Sequence, residues 1–358
     1  MPKEASAPFR LKEIDVRGSL FVTGCHRSGT SLLASLLKDA MDARNSIGIE
    51  DLTTKLDNPR GFFESQRLVE TNDKLLRMIS CSWDHPPLLT PIWGSKEFID
   101  TFESWREEFH DHALNKDWID KDPRLCITYN AYLHILLKRI PIIGIVRKPL
   151  EVATSLYARN GLSIEAGLSI WYLYNYHLAS SLHPEDTVVF YEDLLDLNNN
   201  LKAESIFRQL INCFDRNGYR LFSESTWEEA IAKRLSPNLN RASKSISINM
   251  TNCSDKALIE QCELVYSLLR KEGNSTMVFQ EAFDALPRCV LNILHRHNIV
   301  EHPIPCRTDI DQNFLVRELE SKKKELLRLE DENEAIKASS SWKMTAPFRS
   351  IKNLLSKF

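Results

Sequence analysis

The sequence predicts an α/β fold with a central parallel sheet flanked by helices, followed by a separate C-terminal helix. Three observations predict it. Short runs rich in β-formers alternate with stretches whose apolar residues recur at helical spacing. One run, Ile-Pro-Ile-Ile-Gly-Ile-Val at 140–146, is almost wholly apolar, as in a parallel strand covered on both faces. A Gly-bounded loop at 24–29 lies between an apolar run and a helix start, where the backbone N–H groups of such folds turn toward a ligand.

Taken in order, residues 18–24 read as the first strand and 29–40 as the first helix. A loop-rich stretch follows, with Asn58-Pro59-Arg60-Gly61 marking a turn. Residues 64–80 return to helical spacing. Pro86, Pro87, Pro91 and Gly94 make 81–95 a surface loop over a site. Trp118-Ile119-Asp120 is a short strand, 126–139 a helix and 140–146 a buried strand. Arg147-Lys148-Pro149 ends that strand, and a helix from Leu150 runs to Asn160, stopped by Gly161. Ser163 caps the next helix, with Glu165 in its first turn and Leu168, Trp171, Leu173 and Tyr174 on one face. Thr187-Val188-Val189-Phe190 is the last strand, and 199–300 is mainly helical.

The 358 residues can hold one large or two ordinary domains. A composition 43% hydrophobic and 27% charged fits a soluble globular chain. A formal net charge of −3 argues against nucleic acid as the main partner, so any anion site must be local. Eight scattered cysteines without a C-x-x-C pair, no apolar leader and no membrane-length apolar run point to a reducing cytoplasm with free thiols. Sequons at Asn249, Asn252 and Asn274 would matter only in a secreted chain.

Gly24-Cys25-His26-Arg27-Ser28-Gly29-Thr30-Ser31 keeps the glycine spacing of the nucleotide P-loop, G-x-x-x-x-G-K-[ST]. Thr30 stands where that motif has its lysine, and Arg27 is the fixed cation instead. The loop therefore suits an anion other than a γ-phosphate in transfer. Together with the preceding Thr23 and the following Leu32-Leu33, it resembles the 5′-phosphosulfate loop of sulfotransferases that use 3′-phosphoadenosine 5′-phosphosulfate (PAPS). The resemblance implies a P-loop-like three-layer fold and a cofactor-binding role for residues 24–31.

PAPS also carries a 3′-phosphate, so a second anion site is needed. In the family an Arg ending a strand and a Ser in the next helix hold that phosphate; Arg147 and Ser155 match them. Asn58-Pro-Arg-Gly-Phe-Phe-Glu64, Lys121-Asp-Pro-Arg124, Asn160-Gly-Leu-Ser163 and Tyr191-Glu-Asp-Leu-Leu195 resemble further family segments, and Tyr191 joins the cofactor-binding set. The resemblance spans 18–240 within a domain of 1–300. Sulfuryl transfer in line needs charge stabilised on the leaving oxygens, a task for Arg27, the loop amides and Lys121. A hydroxyl acceptor needs a base: Glu64, beside Phe62 and Phe63, is the first choice and Glu50 the rival. His26 either donates a hydrogen bond or packs. No metal is implied.

After a linker at 301–312, Leu315, Leu319, Lys322, Leu326, Leu329, Asn333 and Ile336 follow the steps of a coiled-coil seam. Residues 313–338 are thus either a parallel homodimer helix or a single solvated one. The tail at 339–358 carries Phe348, Ile351, Leu355 and Phe358 on one face of a basic helix. It either lies on an anionic membrane at the inner face or docks on the protein. Its Ser-Trp-Lys-Met-Thr-Ala-Pro-Phe-Arg run resembles tails on bacterial enzymes of surface-polysaccharide synthesis, which implies a carbohydrate or glycolipid acceptor. The competing readings are a P-loop nucleotide kinase and a non-catalytic coiled-coil scaffold.

Overall fold

All residues of the four strands are buried; those at 20–23, 142–146 and 187–190 read as largely apolar or β-branched runs, whereas the one at 119–121 buries Asp120 and Lys121. The computed structural model describes residues 19–40, 64–114, 118–196, 199–217, 224–234, 256–271 and 276–284. Among them β1 (Leu20–Thr23), β2 (Ile119–Lys121), β3 (Ile142–Val146) and β4 (Thr187–Phe190) form one parallel sheet in the order β2-β1-β3-β4. Val22 pairs with Lys121 on one side and Ile143 on the other.

Alternate side chains of each strand feed opposite faces. Leu20, Val22, Ile143, Ile145 and Val189 enter one apolar cluster with α1 (Thr30–Ala40), α8 (Asn200–Asn217) and α9 (Glu224–Arg234). Phe21, Ile142, Val146, Val188 and Phe190 enter the other. There they meet α2 (Gln66–Met78), α3 (Lys96–Leu114), α4 (Leu125–Leu136), α5 (Pro149–Asn160), α6 (Ile164–Ser181), α10 (Lys256–Lys271) and α11 (Thr276–Asp284). The short α7 (Tyr191–Leu195) follows β4 directly. The sheet is therefore the middle of three layers.

Among the described residues the expected strands and helices are present with ends shifted by a few residues. Ser163 accepts the Ala166 N–H at 3.1 Å as the cap of α6, and Gly161 closes α5 in the left-handed region at φ 71°. Two features differ from expectation. Helix α3 fills a stretch left without an element, although Phe98, Phe102, Trp105 and Phe109 recur at steps of four and three. Helix α6 does not bury one face only: from Leu168 to Asn175 every residue is buried, because α4, α5, α10 and α11 all pack on it. The chain divides after His302, and the expected linker, coiled-coil segment and basic tail lie outside the described residues. So do Glu50, Phe62 and Phe63. No helix among the described residues is long and apolar enough to cross a membrane.

The stretch between α2 and α3 is pinned to the body rather than loose. Trp93 is buried and its Nε1 donates to the Ile127 carbonyl at 3.4 Å. His177 Nε2 meets the Pro87 carbonyl at 2.6 Å, and Tyr174 donates its hydroxyl hydrogen to the Trp83 carbonyl at 2.7 Å. The backbone oxygen at Pro87 can only accept, so the imidazole must donate from Nε2. Burial lowers the His177 pKa to about 4. The unfolded chain takes up that proton near pH 6.5, the folded chain only near 4, so acidification favours unfolding. Wild-type protein should lose roughly 2 kcal/mol between pH 6.5 and 5 through this group, above the range where carboxylates titrate. Urea unfolding at both pH values should show that loss, and His177→Asn should flatten it; parallel curves would assign the acid sensitivity elsewhere.

Candidate active site

The sheet order decides where a ligand can sit. From β1 the chain crosses to β2 on one side and later to β3 on the other, so a crevice opens at the carboxyl ends of β1 and β3. The 24–29 loop leaves β1 there, and Arg147 follows the last residue of β3. Lys121, the last residue of β2, lies on the other side of β1. The same edge thus gathers three of the residues singled out for charge.

Glycines let the loop pass close to its neighbours. A Cβ on Gly24 (φ 156°) would strike the Ile145 carbonyl oxygen, and one on Gly29 (φ 96°) would strike the Tyr191 ring. Arg27 itself is left-handed at φ 68°, an uncommon state for a side-chain-bearing residue. Ser28 N–H closes the turn on the Cys25 carbonyl at 3.1 Å. Helix α1 then begins at Thr30 with no acidic residue in its first turn, so its dipole favours an anion at this end. Two polar atoms of the loop are shut off from solvent without a hydrogen-bond partner among the described residues: Ser28 Oγ and His26 Nε2. An orphaned hydroxyl beside a helix start is what a bound anion would satisfy.

The two arginines expected at opposite ends of a nucleotide are joined through the backbone of the 24–29 loop. Arg147 Nη1 donates to the Arg27 carbonyl at 3.0 Å, and Arg27 Nε donates to Ser155 Oγ at 2.9 Å. Ser155 therefore meets Arg27 rather than Arg147. The Arg147 guanidinium stacks 4.3 Å from the Tyr191 ring centre, and its Nε and Nη2 both donate to Glu151 Oε2, at 3.0 and 2.9 Å. Trp171 Nε1 fixes the Arg147 backbone by donating to its carbonyl at 2.8 Å. Only 5% of Arg147 is exposed.

The Tyr191-Glu192-Asp193 segment turns out to be a clamp. Tyr191 packs between Gly29 and Arg147. Glu192 accepts the Lys148 backbone N–H at 3.0 Å and the Tyr266 hydroxyl at 2.7 Å. Asp193 pairs with Lys202 at 2.7 Å and with Arg270. The segment holds both loops at the crevice in register with the helices behind them.

On the β2 side, Lys121 Nζ donates to Glu64 Oε1 at 2.5 Å. Lys121 is 1% exposed and buries its stem, so the ammonium is fixed rather than mobile. Glu64 sits just before Ser65, the cap of α2, which accepts from the Leu68 N–H at 3.3 Å. Asn72 of α2 accepts from Thr128 at 2.7 Å and Tyr132 at 3.0 Å of α4, which fixes that helix. Arg124 is held by Asp122, through both carboxylate oxygens at 3.1 Å, and by Asp73 at 2.8 Å.

His26 lies between the two halves. Its ring meets Trp83 at 4.9 Å and Tyr174 at 5.3 Å, between centres. Burial first, then the charges of Arg124, Lys121, Arg159 and Arg27, hold its pKa well below the ordinary value, so the ring is neutral. The Cys25 side chain is in the core, and burial pushes its thiol pKa well up, so only its backbone can serve the loop. Thr30 is buried at the start of α1, and Ser31 is the next residue of that helix.

Glu151 and Trp83 carry no role in the sequence reading, and Trp171 and Tyr174 enter it only as residues on the face of α6. Glu151 lies four residues after Arg147, a spacing that pairs side chains, and was legible on that ground. Trp83 had no local signal, since its loop is brought over His26 by α6. Among the described residues no group of three or more acidic, His or Cys side chains could hold a metal ion.

No family model and no curated protein matches the chain. Solved structures similar to it are bacterial sulfotransferase domains at low identity. The sulfotransferase domain of the Synechococcus PCC 7002 olefin synthase is 19% identical, with 77% of this chain and 98% of that domain covered at a TM-score of 0.36. The sulfotransferase domain from the curacin biosynthetic pathway is 15% identical, over 75% and 97% of the two chains, at 0.35. Sulfotransferase STF1 of Mycobacterium tuberculosis H37Rv is 13% identical, over 76% and 78%, at 0.33. These TM-scores are too low to carry chemistry across, so the site is read from this chain's own residues.

Proposed function

We propose that this chain is a sulfotransferase that moves a sulfuryl group from PAPS to a hydroxyl acceptor, a carbohydrate of a surface polysaccharide or glycolipid. The observation that carries the reading is the contact of Arg147 with the Arg27 carbonyl at the crevice between β1 and β3. It brings a buried guanidinium against a Gly-bounded loop with an orphaned hydroxyl. An adenosine nucleotide carrying anions at both its 3′ and 5′ positions suits such a pair.

The residues fit the donor's charges. The N-terminus of α1, the loop amides and Ser28 Oγ would hold the 5′-phosphosulfate; Arg147 and Ser155 would hold the 3′-phosphate. The donor supplies an activated sulfuryl group. Arg27 and Lys121 balance the negative charge that grows on the leaving oxygens. A sulfuryl group carries less negative charge than a phosphoryl group, so fixed side-chain cations can serve this role, and the lysine missing at Thr30 is no defect. Glu64 meets Lys121 through Oε1, and we assign Oε2 to take the acceptor's hydroxyl proton. The neutral His26 packs behind the loop and leaves its backbone groups to the ligand.

Outside the described residues, we carry forward two assignments from the sequence: a parallel homodimer through 315–336 and peripheral membrane contact through 342–358. Deleting 313–358 should leave sulfate transfer unchanged and alter the size of the particle or its flotation with anionic vesicles. If neither changes, both assignments fail.

Arg147→Ala should weaken adenosine 3′,5′-bisphosphate binding by about 1.5–3 kcal/mol, the worth of a charged hydrogen bond. Calorimetry reads it directly, with unchanged affinity removing Arg147 from the nucleotide site. Glu64→Gln should bind the same nucleotide normally and transfer labelled sulfate from PAPS to an oligosaccharide panel on the order of 10²–10⁴-fold more slowly. Near-normal turnover would move the base to Glu50 or elsewhere. Wild-type protein that binds PAPS but sulfates no glycan, lipid or phenol would favour the scaffold reading.

A further inference from the structure

The geometry points to Glu151 as a built-in competitor for the anion that Arg147 takes, a role that rests on Arg147 being the 3′-phosphate site. Three sides of the guanidinium are engaged. Nη1 holds the Arg27 carbonyl, one face lies on Tyr191, and the Nε–Nη2 edge holds a single oxygen of Glu151. That edge is the one on which an arginine takes a phosphate with two parallel bonds. Glu151 Oε2 thus occupies the position that a phosphate oxygen would need.

The two partners differ in freedom. The Arg147 side chain is 7% exposed and tied on its other sides, whereas the Glu151 side chain is 39% exposed. An arriving phosphate can move the carboxylate into solvent; the guanidinium cannot follow. Glu151 lies in the first turn of α5, where the helix dipole keeps a carboxylate favourable after it swings away. The displaced acid remains close to the phosphate and repels it. When the nucleotide leaves, the carboxylate returns and the buried guanidinium is not left without a counter-charge. Glu151 therefore weakens nucleotide binding and eases release of the product, a step that limits turnover in many enzymes.

A purely orienting role makes a different forecast. If Glu151 only aimed the guanidinium, Gln would leave affinity unchanged and Ala would lower it. A competitor predicts tighter binding for both, since Tyr191 and the Arg27 carbonyl still aim the group. Calorimetry on the full chain, at low salt, would compare wild type, Glu151→Gln, Glu151→Ala and Arg147→Ala. The ligands are adenosine 3′,5′-bisphosphate and 5′-AMP, which lacks the 3′-phosphate. Both Glu151 variants should bind the bisphosphate about tenfold tighter, within the usual range of couplings between sites, and 5′-AMP as wild type does. The gain should shrink as salt screens the half-exposed acid. Unchanged bisphosphate affinity in both variants, weaker binding in Ala, or equal tightening of both ligands overturns the competitor role. If Arg147→Ala still weakens the bisphosphate in that case, Arg147 keeps its place and only Glu151 loses its own. If Arg147→Ala changes nothing either, the 3′-phosphate site falls as well.

Discussion

The hydrogen bond from Arg147 to the Arg27 carbonyl joins the two loops that leave the sheet at its switch point, and the rest of the site depends on it. A buried guanidinium is costly unless its donors are met. Here they are met by a backbone oxygen, a carboxylate and an aromatic face, each from a different segment. Satisfying one charge therefore sets the relative positions of the 24–29 loop, α5 and α7. The glycines respond to the same constraint: Gly29 must lack a side chain because Tyr191, the platform under Arg147, lies against it.

Much of this frame was legible in the chain, because parallel strands leave a strong apolar signal and caps leave a chemical one. Ser163 and Gly161 announced the boundaries around α6 through a hydroxyl and a left-handed residue. Gly24 and Gly29 announced a loop needing close approach. The partners of the site residues were less legible, since sequence motifs report that a charge is present and not what it touches. The motif groups Ser155 with Arg147 in one anion site but does not disclose that its hydroxyl accepts from Arg27. The roles of Glu192 and Asp193 as clamps arise from α8 and α10, far along the chain. Trp83 reaches His26 only because α6 gathers the proline-rich loop through Tyr174 and His177.

His26 shows how the two halves of the crevice communicate electrically. Four cations, contributed by the loop, the end of β2, the start of α4 and the end of α5, all disfavour its protonation. A ring that stays neutral adds no further positive charge to a crowded region and can pack against Trp83 and Tyr174. The same aromatic contact ties the 24–29 loop to the 81–95 segment.

The charge balance at these strand ends explains why composition gave no hint of the proposed anion site. Lys121 is matched by Glu64, Arg147 by Glu151, and Arg124 by Asp122 and Asp73. The cations are real, yet each of these three is neutralised in place, which fits a chain whose formal net charge is −3. Burying cations without such partners would cost several kcal/mol apiece. An anionic ligand that enters therefore exchanges one set of ion pairs for another rather than filling a bare positive pocket. Binding strength then depends on how far the resident carboxylates can move aside. Glu151, with 39% of its side chain exposed, can yield where the fully buried Asp122 cannot.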